Sequence, residues 1–167
     1  MHGYQVDAKK LKALSLRTLA SLGLQDFFLS IRFVGTSAIR TLNRVHRAKD
    51  QATDVLSFPQ ESWAVPATVS RPVKLKTEPH PGPPRVLGDV VISLPEAARN
   101  AKKIGQGLDR EVCFLVVHGI LHLAGHDHER PADERRMLKE QRTLMARLEP
   151  KAGAPLWRNC VKTRGAR

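Results

Sequence analysis

Residues 111–124 constrain this chain more than any other segment. Val112, Phe114, Leu115, Val116, Val117, Ile120, Leu121 and Leu123 leave the stretch almost without a polar face. A helix that is apolar nearly all round belongs in a core. Yet it carries His118 and His122, four residues apart, so both imidazoles leave the same helix face one turn apart. Burying two imidazoles without partners is costly. A shared metal ion removes that cost, because the spacing lets two ring nitrogens meet one ion. Gly125 breaks the helix and lets the chain turn back, so that His126 or His128 can supply a third nitrogen. Three neutral nitrogens and an open position make a catalytic zinc arrangement, in which the ion lowers the pKa of bound water to about 7. Copper, iron and nickel also accept imidazole. Gly119 stands where a metalloprotease of the HExxH type carries its glutamate base, which weakens a peptidase reading.

The surrounding chain alternates helical and extended patterns. Residues 6–22 read as an amphipathic helix, with Asp7 as N-cap, Leu11, Leu14, Thr18 and Leu22 on one stripe, and Gly23 as its stop. Residues 28–34 alternate with Leu29, Ile31 and Phe33 on one side, a strand with one buried face. Thr36 or Ser37 is expected to cap a helix ending near His46 and Arg47. Residues 53–58 form a second strand, stopped by Pro59. Residues 86–93 are apolar enough for a central strand. Pro95 opens a helix to about Ile104, Asp109 is expected to cap the apolar helix, and Pro131 and Asp133 open a charged helix to about Leu148. The fold expected is α/β (α+β): a single domain with a mixed sheet of about four strands, surrounded by helices, one of them metal-bearing. The domain spans residues 1–150, and the basic tail 151–167 is expected to be loosely ordered.

Residues 61–86 hold six of the eleven prolines and read as a long exposed loop, made basic by Arg71, Lys74, Lys76 and Arg85. The whole chain has a formal charge of +12. Residues 1–60 carry net +5, residues 61–86 net +2, residues 87–149 net 0 and residues 150–167 net +5. The histidine segment is therefore balanced, and the excess lies around it. Such an excess points to a polyanionic partner, nucleic acid first and an anionic membrane surface second. No apolar run approaches the roughly 20 residues that span a bilayer. With no basic-then-apolar leader at the N-terminus, and only Cys113 and Cys160 as cysteines, the expected setting is a reducing cytoplasm. Cys113 lies about 140° round the helix from His118 and is expected in the core. Trp63 and Trp157 stand alone, and packing explains them better than base stacking.

The run His118-Gly119-Ile120-Leu121-His122-Leu123-Ala124-Gly125-His126-Asp127-His128 resembles the signature of the YbeY family of metal-dependent endoribonucleases. Two further stretches match it: 43–50 followed by 53–59, and 87–93. The three blocks stand in the family's order and cover roughly residues 30–148. The resemblance implies a zincin-like core and one zinc ion held by His118, His122 and His128. It leaves His126 outside the ligand set, as an outer-sphere or substrate-facing group or, the reading preferred, a surface residue. It also implies that Arg47 matters for activity, which suits a guanidinium holding a phosphate bidentately. The implied activity is single-strand-specific cleavage of ribosomal RNA, in maturation (including the 3′ end of 16S rRNA) and in ribosome quality control. The implied partners are single-stranded RNA, the ribosome or its assembly factors, and no membrane.

Asp54 and Asp89 are candidates to orient a ligating imidazole, or else they cap turns at strand ends. Asp127 is expected to bond within its own turn. The 61–86 loop looks longer and more proline-rich than the family's usual connection. Two rivals use the same histidines: a zinc peptidase-like hydrolase, and a non-catalytic RNA-binding assembly factor with structural zinc.

Overall fold

In the computed structural model, residues 3–60, 85–126, 130–148 and 158–163 are described. The 61–84 part of the proline-rich loop, Trp63, Asp127, His128 and Trp157 lie outside them.

The most apolar strand takes the centre. β4 (Arg85–Ser93) lies between β2 (Phe27–Val34), to which it is parallel, and β3 (Val55–Pro59), to which it is antiparallel. Both faces of β4 are covered, as the consecutive apolar side chains of Val90, Val91 and Ile92 require. Val90 and Ile92 are fully buried in the main core, and Val91 is buried on the opposite face. Strand alternation puts Leu56 and Phe58, cross-strand partners of Val91 and Asp89, on that second face. There α2 (Thr36–Arg47) packs, with Ile39 fully buried and His46 edge-on to Phe58 at 4.9 Å.

The first face carries α4 (Leu108–Leu123), flanked by α1 (Ala8–Ser21), α3 (Leu94–Lys103) and α5 (Pro131–Leu148). Two glycines let this layer close. A Cβ on Gly119 would stand 2.6 Å and 2.9 Å from the two Val90 methyls and 3.2 Å from Ser57 Oγ. Gly88, at φ +145°, lies beside the register shift between Phe28 and Leu29. A Cβ there would meet the Phe58 carbonyl at 2.3 Å and Leu123 at 2.9 Å.

Asp7 caps α1 as expected, accepting from the Lys9 and Lys10 amides at 3.1 Å. Two other caps differ. α2 begins at Thr36 with Gly35 as its N-cap, which has no side chain to make a cap bond, and the Thr36 hydroxyl donates to Glu96 at 2.8 Å. Asp109 is not the cap of α4, which is Gly107. Its carboxylate accepts from the Asn159 amide (2.8 Å) and the Val161 amide (2.6 Å). That pair of bonds explains the main departure from expectation: within the supposedly loose tail, Val161–Thr163 forms β5, antiparallel to β1 (Tyr4–Val6). Cys160 and Val161 are buried in the core beside Cys113, and burial pushes the Cys113 thiol well above its ordinary range. Strands are thus divided into a three-stranded mixed sheet and a separate two-stranded ribbon among the described residues. No helix among them is long and apolar enough to cross a membrane.

Candidate metal centre

α4 delivers the two expected imidazoles together. The His118 and His122 rings are 4.7 Å apart between centroids and nearly perpendicular, at 79°. Their Nε2 atoms face each other at 3.1 Å. Two such nitrogens fit on one ion with metal–nitrogen bonds of about 2.0–2.1 Å, the usual length for zinc. Both rings are half-buried on a helix whose other faces are packed. Phe114, one turn earlier, stacks on His118 at 6.1 Å and 14°.

The helix ends directly after the pair. The Gly125 amide donates to the His122 carbonyl at 3.0 Å, the His126 amide to the Leu121 carbonyl at 3.0 Å, and Gly125 takes φ +86°. This left-handed residue ends the helix at Gly125. His128 itself lies outside the described residues, and among those described no set of three His, Cys, Asp or Glu side chains converges. His126, expected on the surface, is half-buried, and burial holds its imidazole below the ordinary histidine range.

Of the two aspartates with an imidazole-orienting or a strand-end role open to them, Asp54 takes the strand-end role and Asp89 lies away from the histidines. Asp89 is on the Phe58 and Val91 side of the sheet, opposite the α4 side, so the sheet stands between it and the histidines. Asp54 opens β3: its carboxylate accepts from the Val55 amide (2.8 Å), the Thr53 hydroxyl (3.3 Å) and the Asn100 amide (2.8 Å), tying the strand to α3. The group that does reach an imidazole is Gln141 of α5, whose Oε1 stands 3.1 Å from His118 Nδ1. Its Nε2 donates to the Phe114 carbonyl at 3.1 Å. Sequence reasoning passed over Gln141, although a signal existed. It occupies an apolar stripe with Met137, Leu144, Met145 and Leu148, where a glutamine needs a partner.

Gln141 also lines a groove of about 560 Å³ between α4 and α5, with Phe114, Leu138 and Met145. At its floor Glu111 is buried and accepts from Gln106, and burial raises its carboxyl above the ordinary range against that bond.

Arg47 is exposed at the last residue of α2. No hydrogen bond or ion pair joins it to the histidines among the described residues. Edge strand β3 separates them: Phe58 touches His46 beside Arg47, and Ser57 meets Gly119 beside His118. The exposed α2 face carries further basic side chains among uncharged ones such as Val45 and Thr41. It includes Arg44 and Arg40, the latter paired bidentately with Asp50 (2.9 and 2.8 Å), around a hollow of about 570 Å³.

Fold and site together define a mixed α/β protein whose buried helix presents paired imidazoles, backed by an amide from a second helix. The family follows from comparison. Residues 3–149 match the model of endoribonuclease YbeY, and the chain belongs to that family. It is 48% identical over 149 residues to the endoribonuclease YbeY of Anaeromyxobacter dehalogenans (strain 2CP-C), covering 89% of this chain and 68% of the relative. To that of Limosilactobacillus reuteri (strain DSM 20016) it is 44% identical over 117 residues, covering 70% of this chain and 71% of the relative. Among solved structures it is similar to the solution structure of TM1509 from Thermotoga maritima. The TM-score is 0.53 and the identity 25%, over 82% of this chain and 79% of that one.

Proposed function

We propose that this chain is a zinc-dependent endoribonuclease that cuts single-stranded ribosomal RNA during its maturation. The observation that carries the reading is the pair of Nε2 atoms 3.1 Å apart on a helix matched by an endoribonuclease family model. His118, His122 and His128 would hold one ion. When bound, zinc supplies a Lewis acid for a phosphoryl oxygen and a water of lowered pKa.

The chain's own residues do the rest. α4 fixes two imidazoles at one point, and its apolar packing keeps them from swinging apart. Arg47, with its guanidinium free of any ion pair among the described residues, is suited to a non-bridging phosphate oxygen, where charge grows in the transition state. RNA passing round the β3 edge would meet Arg47 on one face and the histidines on the other. The basic α2 face would hold the flanking phosphates.

Packing argues against a peptidase. An HExxH glutamate cannot occupy position 119, where even a Cβ would overlap Val90. Participation in ribosome quality control, ribosome or assembly-factor partners, and a cytoplasmic setting extend the same reading.

Substrate choice tests it. Zinc-loaded protein is expected to cut a single-stranded RNA, to spare the same sequence as a duplex, and to leave an unstructured peptide intact. Peptide cleavage without RNA cleavage would reverse the assignment.

A further inference from the structure

We propose that Gln141 is a positioning residue that fixes the tautomer of His118, so that its Nε2 lone pair faces the point His122 also faces. The inference rests on the reading of His118 and His122 as metal ligands.

The argument is one of donors and acceptors. Gln141 is 2% exposed, so its amide must find its partners inside the protein. Two groups flank it: the Phe114 carbonyl at 3.1 Å and His118 Nδ1 at 3.1 Å. A carbonyl only accepts, so the amide must turn its NH₂ to Phe114. The flipped amide would set two oxygens against each other. With the NH₂ committed, Oε1 faces the imidazole, and a carbonyl oxygen can only accept there too. In the neutral ring the proton is therefore on His118 Nδ1, and Nε2 is bare. That bare nitrogen is the one 3.1 Å from His122 Nε2.

The main chain of α4 thus dictates, through one buried side chain of α5, which nitrogen of its own histidine is available. Removing Gln141 takes away the acceptor that Oε1 offers Nδ1, and the competing tautomer, with Nε2 protonated, would have to be displaced at each binding event. Partners of this kind typically change metal affinity about 10- to 100-fold.

Two measurements decide the matter, both on the full chain. Nitrogen-15 NMR of the histidine rings reads the tautomer in metal-free protein: His118 is expected as Nδ1–H in the wild type and shifted toward Nε2–H in Gln141→Leu. Zinc affinity, by competition with a chromogenic chelator, is expected to fall about 10- to 100-fold in Gln141→Leu. Gln141→Glu keeps an acceptor for Nδ1 and is expected to restore most of that loss, even where losing the Phe114 bond lowers its Tm. A wild-type His118 protonated on Nε2, or a folded Gln141→Leu with wild-type zinc affinity, would overturn the proposal. Failure of the wild type to take up zinc overturns the metal reading alone, and the ring spectra still decide the role of Gln141.

Discussion

Gly119 sits inside a helix, where glycine ordinarily costs about 1 kcal/mol relative to alanine. Here that cost is offset, because the missing Cβ lets α4 close on Val90 and Ser57 and brings the histidines onto the edge of the sheet. Gly119→Ala should therefore destabilise the fold by about 1–2 kcal/mol despite its better helix propensity, as overpacked cores do. Val90→Ala in the same chain should recover part of the loss, a non-additivity that denaturant unfolding of the four-member cycle would read. Glu111 is a second residue with a readable sign. Its folded pKa is raised, chiefly by burial, so the fold favours the protonated carboxyl. The stability it contributes is full below the ordinary glutamate pKa and is lost as pH rises through the raised value. Glu111→Gln should accordingly be more stable than the wild type at neutral pH. The difference should close as pH falls below the ordinary glutamate range, measured as denaturation midpoints across pH.

The five helices of the described residues were legible from local signals: Asp7, Gly23 and Pro95 mark ends, and the apolar period marks buried faces. The β1–β5 ribbon was not. Its strands are three residues each, too short for alternation to register, and they pair across nearly the whole chain. What specifies the pairing is Asp109, whose sequence context suggested a helix cap and whose carboxylate instead collects the Asn159 and Val161 amides. The contact between Gln141 and His118, and the side of the sheet that Asp89 faces, were not legible for a related reason. Which side of a sheet a residue faces, and which side chain meets it from another helix, depend on tertiary contacts that spacing along one element cannot reveal. Asp109→Ala should leave two amides without their acceptor and cost about 1–3 kcal/mol. Hydrogen exchange should then rise at Val161 and along β1 while α4 stays protected.

Across the whole molecule the charge is uneven, balanced in the segment that holds the histidines and positive around it. Exposed Arg44, Arg47 and Lys49 cluster at the end of α2, on the far face of the sheet from α4. The proposed function divides positioning and cutting between different surfaces that meet at the β3 edge. Binding of single-stranded RNA should weaken as salt rises, with a log–log slope of about −0.7 per phosphate contacted, and a flat salt profile would reduce the charge to a matter of solubility. The most direct test of the central claim joins metal content to cleavage. Elemental mass spectrometry of protein prepared without chelators should find one zinc per chain in the wild type. His122→Ala, folded by circular dichroism, should lose both the zinc and the cleavage of single-stranded RNA. If that variant loses the metal, keeps its fold and still cuts RNA at the wild-type rate, the paired histidines are not the catalytic centre.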